Sequence, residues 1–347
     1  MQRNSSVIFF GLSLFLASAV FLSGSIIAQT PEAPRIAYES VPDFIKMPDG
    51  LYMGEAMGVA TNSQGEFYVY TRSGEATRLF QFDANGNFMR EIGYGLYGMV
   101  FAHAVRVDAD DNIWVVDEGS DMVIKFNPAG RVMLTIGRRP EAQGLRETPE
   151  RGAPRPEARQ YNLGRPTDIG WDPQGNIFIS DGYINSRVVK YDKEGRYLGE
   201  VGTRGSEIGQ MSTPHTMQVD AEGNVFVGDR GNRRIQVFDN DLNFKYVIEG
   251  IGAPWAVCIS PGPHQFLYSS NSNTTGNTAA SYDNAGEIYK MELDGTIIGR
   301  FGTGGKRLGE FGSTHAMDCR NPDELLIAEV TTFRVQKILL SSDVTLP

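Results

Sequence analysis

Three of the chain's 4 histidines, His103, His215 and His315, each open an alternating segment of the same form: HAVRVD, HTMQVD and HAMDCR. Imidazole is a common metal ligand, and three imidazoles with a fourth position left open are the pattern of a catalytic zinc site. One strand histidine alone is more often a local hydrogen-bonding group, but three in one register call for a common purpose. The frame that defines the register comes from other residues, the Asp and Asn of the turns after the clearest copies, so the coincidence is independent of the histidines. His264, in Pro261-Gly262-Pro263-His264, is out of register and reads as a surface residue. With Cys 2, Cys258 and Cys319, the chain has too few thiols for a cysteine zinc module or a disulfide scaffold, so a metal must rely on histidine and oxygen.

The segments that carry these histidines belong to a repeat. From His215 to Phe238 an alternating strand HTMQVD leads through AEGN into a second strand ending at Asp229 and a third, RIQVF. The same frame runs from His103 to Phe126 and from Thr167 to Tyr191, and weaker copies begin at Met57, Trp255 and His315. A fourth strand follows most copies, as in NFMREIG, RVMLTIG, RYLGEVG and FKYVIEG. Four short antiparallel strands read six times predict an all-β, six-bladed β-propeller, whose radial closure leaves only short edges. A two-sheet sandwich would not repeat its strands in groups of four.

Little chain remains after the third strand of the last copy, so Arg35 to Val41 is expected to supply a closing outer strand. Gly137 to Asn162 and Ser269 to Gly286 break the period and read as loops. Because first strands line a propeller's channel, identical positions on alternate repeats place three imidazoles on one level. Strand two returns to that level, so the residues at its end overhang the site: Arg72, Asp181-Gly182-Tyr183 and Asp229-Arg230. A phenol beside a dication and guanidinium groups has its ionised form favoured, which would suit Tyr183 to act as a base. The plainer reading pairs the two arginines with turn aspartates and leaves Tyr183 capping a strand.

The ends and the charge narrow the setting. Arg3 followed by an apolar run from Val7 to Leu22 and small residues to Ala28 reads as a signal peptide over residues 1–28, with the propeller in 29–347. The alternative is an uncleaved N-terminal anchor, and only then would a membrane be a partner. Either way the globular part is expected outside the cytoplasm, secreted or periplasmic, and monomeric. A net charge of -10 gives no basic stripe for nucleic acid, which is excluded as a partner.

The repeats resemble NHL repeats, and the chain from about Gly58 to Ile338 is similar to the peptidyl-α-hydroxyglycine α-amidating lyases, the lyase half of the peptidylglycine α-amidating enzyme. The likeness is carried by RPTDIGWDPQGNIFISDGYINSRVVKYDKEG (Arg165 to Gly195), by STPHTMQVD and by GDRGNRRIQVF (Ser212 to Phe238). It implies zinc on His103, His215 and His315, Tyr183 as base, and Arg72 and Arg230 as partners of the substrate or transition state. The implied reaction cleaves the N–Cα bond of a carbinolamide, yielding an amide and glyoxylate from a small-molecule or peptide substrate.

The sequence also departs from that pattern. Ala316 stands where the family has an aspartate that helps hold calcium, so calcium is not expected. Ile184 replaces a disulfide cysteine beside the tyrosine. Cys258 and Cys319 lie three and four residues after their repeat starts, so alternation is expected to send them to opposite faces and leave them unbonded. No copper-monooxygenase half is expected, because the propeller uses essentially the whole chain. Two other functions remain open at this stage: a non-catalytic extracytoplasmic propeller binding a protein or peptide, and a metal-dependent hydrolase, which the histidine ring disfavours.

Overall fold

The computed structural model describes residues 33–142, 159–272 and 286–345, with side chains through 341. The expected signal segment and most of both expected loops lie outside these residues. The chain is an all-β propeller. β1 (Arg35–Ser40) comes first, followed by a four-stranded antiparallel sheet of β2 (Glu55–Thr61), β3 (Phe67–Arg72), β4 (Thr77–Phe82) and β5 (Phe88–Ile92). The second sheet holds β6 (Ala102–Val107), β7 (Ile113–Asp117), β8 (Met122–Phe126) and β9 (Val132–Gly137). The third holds β10 (Asp168–Trp171), β11 (Ile177–Asp181), β12 (Arg187–Tyr191) and β13 (Tyr197–Val201). The fourth holds β14 (Pro214–Val219), β15 (Val225–Asp229), β16 (Arg234–Phe238) and β17 (Phe244–Ile248).

The remaining strands form one eight-stranded sheet. Its first half is β18 (Pro254–Ile259), β19 (Leu267–Asn271), β20 (Glu287–Met291) and β21 (Ile297–Phe301). Its second is β22 (Thr314–Asn321), β23 (Glu324–Glu329), β24 (Arg334–Thr345) and β1, which runs antiparallel to β24 and touches β21 in parallel at Arg35–Arg300. The N-terminal strand therefore closes the ring, as its sequence position suggested. β19 runs to Asn271, into the segment expected to be loop from Ser269. The first strands β2, β6, β10, β14, β18 and β22 contact one another in that order, and β22 returns to β2.

The turns explain the frame seen in the sequence. Asp220 Oδ1 accepts the N–H groups of Glu222 and Asn224 at 2.9 and 2.7 Å, and Asn224 donates its amide to Asp220 Oδ2. Asp172 holds Gln174 and Asn176 in the same way, and Asp108 holds Asp110 and Asn112. Such turns offer the backbone a local alternative to the ladder and so end one strand and begin the next at a fixed spacing.

The two halves of the eight-stranded sheet pack opposite faces together, and this overturns the expectation for the cysteines. Cys258 and Cys319 form a disulfide, with Cα atoms 6.1 Å apart across 61 residues. Alternation does put them on opposite faces of their own halves of the eight-stranded sheet. In a radial stack, however, one face of β18 meets the other face of β22, and Ala256, Cys258, Met317 and Cys319 share one core cluster.

Candidate active site

Each histidine sits at an irregularity where its strand carries one residue more than its partner. The pairing of β6 with β7 shifts between Ala102 and Ala104, of β14 with β15 between Pro214 and Thr216, and of β22 with β23 between Thr314 and Ala316. The extra residue is His103, His215 or His315, and a bulge at that point re-aims the side chain. The three imidazoles meet with ring centroids 4.7, 4.7 and 4.8 Å apart, and all are buried.

The intervening repeats orient them. His103 Nδ1 lies 2.6 Å from the carbonyl of Thr167, His215 Nδ1 2.8 Å from that of Trp255, and His315 Nδ1 2.6 Å from that of Met57. A carbonyl only accepts, so each Nδ1 carries the proton and each Nε2 keeps a lone pair. His215 Nε2 is buried without a hydrogen-bond partner. Burial drives all three rings below the usual imidazole range, His315 to about 3, with Arg230 adding to the effect in all three and Arg72 in His103 and His315. Neutral imidazoles with converging lone pairs are the form a cation requires.

The donor set also fits an ion by size. Its ligand atoms lie within 4.8 Å of one another. A central ion would then be about 2.8 Å or less from each nitrogen, so the nitrogens would close in by up to about 0.8 Å to reach the 2.0–2.1 Å typical of zinc.

Tyr183 stands over this ring, with its hydroxyl 3.4 Å from His103 Nε2 and its ring 5.9 Å from that of His215. Gly182 permits the approach, because a Cβ there would come within 2.0 Å of the Pro214 carbonyl. Burial raises the phenol above its ordinary value; Arg230 and Arg72 pull it down, and Glu118 adds to the rise. The guanidinium groups alone do not outweigh burial; the sequence expectation set a dication beside the phenol as well.

Arg230 lies over the rings of Trp255 and Tyr183, at 4.8 and 5.5 Å from the centroids. Arg72 stacks on Phe101 at 3.3 Å, donates to the Ala102 carbonyl and pairs with Glu118 at 3.1 Å. All six residues singled out by sequence therefore share one end of the channel. Arg72 combines both readings weighed for it, since it faces the site and is also ion-paired, although to a glutamate.

Two charged groups escaped the sequence reading. Glu118, buried at the end of β7, bridges Arg72 and Arg165, and Arg165 lies 4.9 Å from the Tyr183 ring centroid. Burial raises the Glu118 carboxyl, with Arg165 and then Arg72 opposing the rise. The one sequence signal was the neighbourhood of each: Glu118 directly follows a strand-two aspartate, where the other repeats place their site residues.

No family model matches the chain. It is 21% identical to a probable peptidyl-alpha-hydroxyglycine alpha-amidating lyase of Caenorhabditis elegans, over 83% of each chain. It is 27% identical to human NHL repeat-containing protein 3, over 68% of this chain and 65% of that one. The chain resembles amidating lyases and NHL-repeat proteins. Among solved structures, a streptogramin B lyase superposes with a TM-score of 0.55 at 14% identity, covering 88% of this chain and 98% of that one. At that identity the likeness speaks for the propeller fold.

Proposed function

We propose that the chain is an amidating-lyase-like carbon–nitrogen lyase of six blades, the eight-stranded sheet being two blades joined at β1 and β21. The observation that carries the reading is the convergence of three buried imidazole lone pairs beneath a tyrosine hydroxyl and beside guanidinium groups. His103, His215 and His315 would hold zinc, which when bound supplies a Lewis acid for a substrate hydroxyl. Burial by itself keeps Tyr183 protonated, so its use as a base calls for added positive charge in the site.

In this reading Tyr183 accepts the proton of the carbinolamide hydroxyl and passes it to the departing amide nitrogen. The N–Cα bond breaks as the C–O bond becomes a carbonyl, so an acyl-α-hydroxyglycine gives a primary amide and glyoxylate. Arg230, which lies over Tyr183 and Trp255, would take the substrate carboxylate, for which a planar guanidinium is suited. Arg72 has less freedom, being tied to Glu118. The disulfide supports an extracytoplasmic setting, since such bonds persist where the medium is oxidising. No helix among the described residues is long and apolar enough to cross a membrane.

The test is metal analysis of protein purified without added metal, followed by turnover of α-hydroxyhippurate. About one zinc per chain and a 10²- to 10⁴-fold loss of turnover in Tyr183→Phe are expected. Metal-free protein, or a variant as active as wild type, would favour a non-catalytic propeller that binds a protein or peptide.

A further inference from the structure

At the channel mouth one buried glutamate holds two of the guanidinium groups that face Tyr183. The Glu118 side chain is 2% exposed and serves two guanidinium groups, Oε2 accepting from Arg72 and Oε1 from Arg165. The backbone of Arg165 is held in place, while its side chain is 48% exposed. Its backbone lies at φ 55, its N–H donates to Asp121 at 2.7 Å, and its carbonyl accepts the Tyr183 N–H at 3.3 Å. Arg72 has a second, weaker partner in Glu55 at 3.6 Å. Arg230 has no carboxylate partner among the described residues, and Arg204 reaches the Tyr183 carbonyl from an exposed loop.

We propose that Glu118 is a positioning residue that also limits charge: by bridging Arg72 and Arg165 it fixes both beside Tyr183 and leaves the mouth suited to a ligand with one carboxylate rather than two. This rests on the reading that the mouth takes a carboxylate-bearing ligand. Without Glu118 the two guanidinium groups would repel each other and be open to a second anionic group. Without Arg165 the mouth would lose one positive charge while Glu118 kept its pair with Arg72.

Opposite changes in charge must therefore move selectivity in opposite directions, which loosened packing would not do. Calorimetric titration of the purified protein with hippurate, which has one carboxylate, and N-benzoylaspartate, which has two, measures this. Neither probe carries the hydroxyl that the lyase reaction needs. Wild type should bind hippurate at least as tightly as N-benzoylaspartate. Glu118→Gln should shift the ratio toward the dianion by roughly tenfold, and Arg165→Gln should shift it the other way.

A ratio unchanged within about twofold in both variants, or equal weakening of both probes, overturns the proposal, as does wild type that binds neither probe. If Glu118→Gln does not fold, the sign of the Arg165→Gln shift decides alone. If the shifts appear but α-hydroxyhippurate is not cleaved, the lyase reading falls and the role of Glu118 stands.

Discussion

The two ends of the channel are built from the same six first strands and treat polar groups in opposite ways. Below the histidines, Asp168 receives Arg106 through two bonds of 2.9 and 2.6 Å, together with the Thr216 hydroxyl and the N–H groups of Ile169 and Met217. Arg106 gives its remaining nitrogen to the Met317 carbonyl at 3.4 Å. Every strong donor and acceptor of that pair has a partner. The histidines are separated from it by a space of about 10 Å³, room for about one water, and His215 Nε2 is left without a partner. The far mouth holds the larger cavity, about 350 Å³, lined by Arg106, Trp171, Gln218, Asp318 and Arg320. Size therefore does not mark the site; the convergence of three potential ligand atoms within 4.8 Å does.

This contrast is broken most directly at the ring. His215→Ala should lower metal content from about one per chain to under roughly a tenth and cut turnover by about 10³-fold or more, with the far-ultraviolet spectrum unchanged. At the other end, Asp168→Ala strips the buried Arg106 charge of its hydrogen-bonded carboxylate, leaving only the charge interaction with Asp318, and should cost about 3–5 kcal/mol in urea unfolding while metal content stays near one per chain. If Asp168→Ala is as stable as wild type, or if His215→Ala unfolds the protein, the division between a site end and a structural end is wrong.

The contrast also shows what a sequence can carry. The histidine ring was legible because Asp220 and Asn224, and their counterparts in other repeats, fix strand lengths through local hydrogen bonds that depend on residues four apart. The bulges that aim the rings leave no such mark, since the extra residue is identified only by its partner strand. Glu118 and Arg165 stand 47 residues apart, and their meeting depends on a left-handed backbone at Arg165, which residue type does not announce.

The cysteines were misread for a related reason. Alternation tells which face of its own sheet a residue occupies and says nothing of which sheet that face meets. Their bond ties β18 to β22, so changing both to serine should lower stability by about 2–4 kcal/mol in reversible unfolding and leave zinc content and hippurate affinity unaltered. A loss of metal in that variant would mean that the far end supports the ring more closely than the contrast allows.

The last expected effect concerns pH. Asp121, beside Arg165, is pushed up to about 7 chiefly by burial, with Asp181 and Asp117 adding to the rise and the Arg165 N–H and charge opposing it. Below pH about 4 the folded and unfolded chains both hold this proton. Between about 4 and 7 the unfolded chain releases it and the folded chain keeps it, so Asp121 destabilises the fold increasingly as pH rises, by at most about 1.4 kcal/mol per unit. Other buried carboxylates move in the same sense, among them Asp181 and Asp229, so the slope of wild type alone is not diagnostic. Asp121→Asn keeps an acceptor for the Arg165 N–H and removes the titration. Urea midpoints at pH 4.5 and 7.5 should therefore show the variant gaining on wild type as pH rises. A constant gap would mean that Asp121 is already ionised in the folded state, and that burial at the site end is better compensated than its neighbours imply.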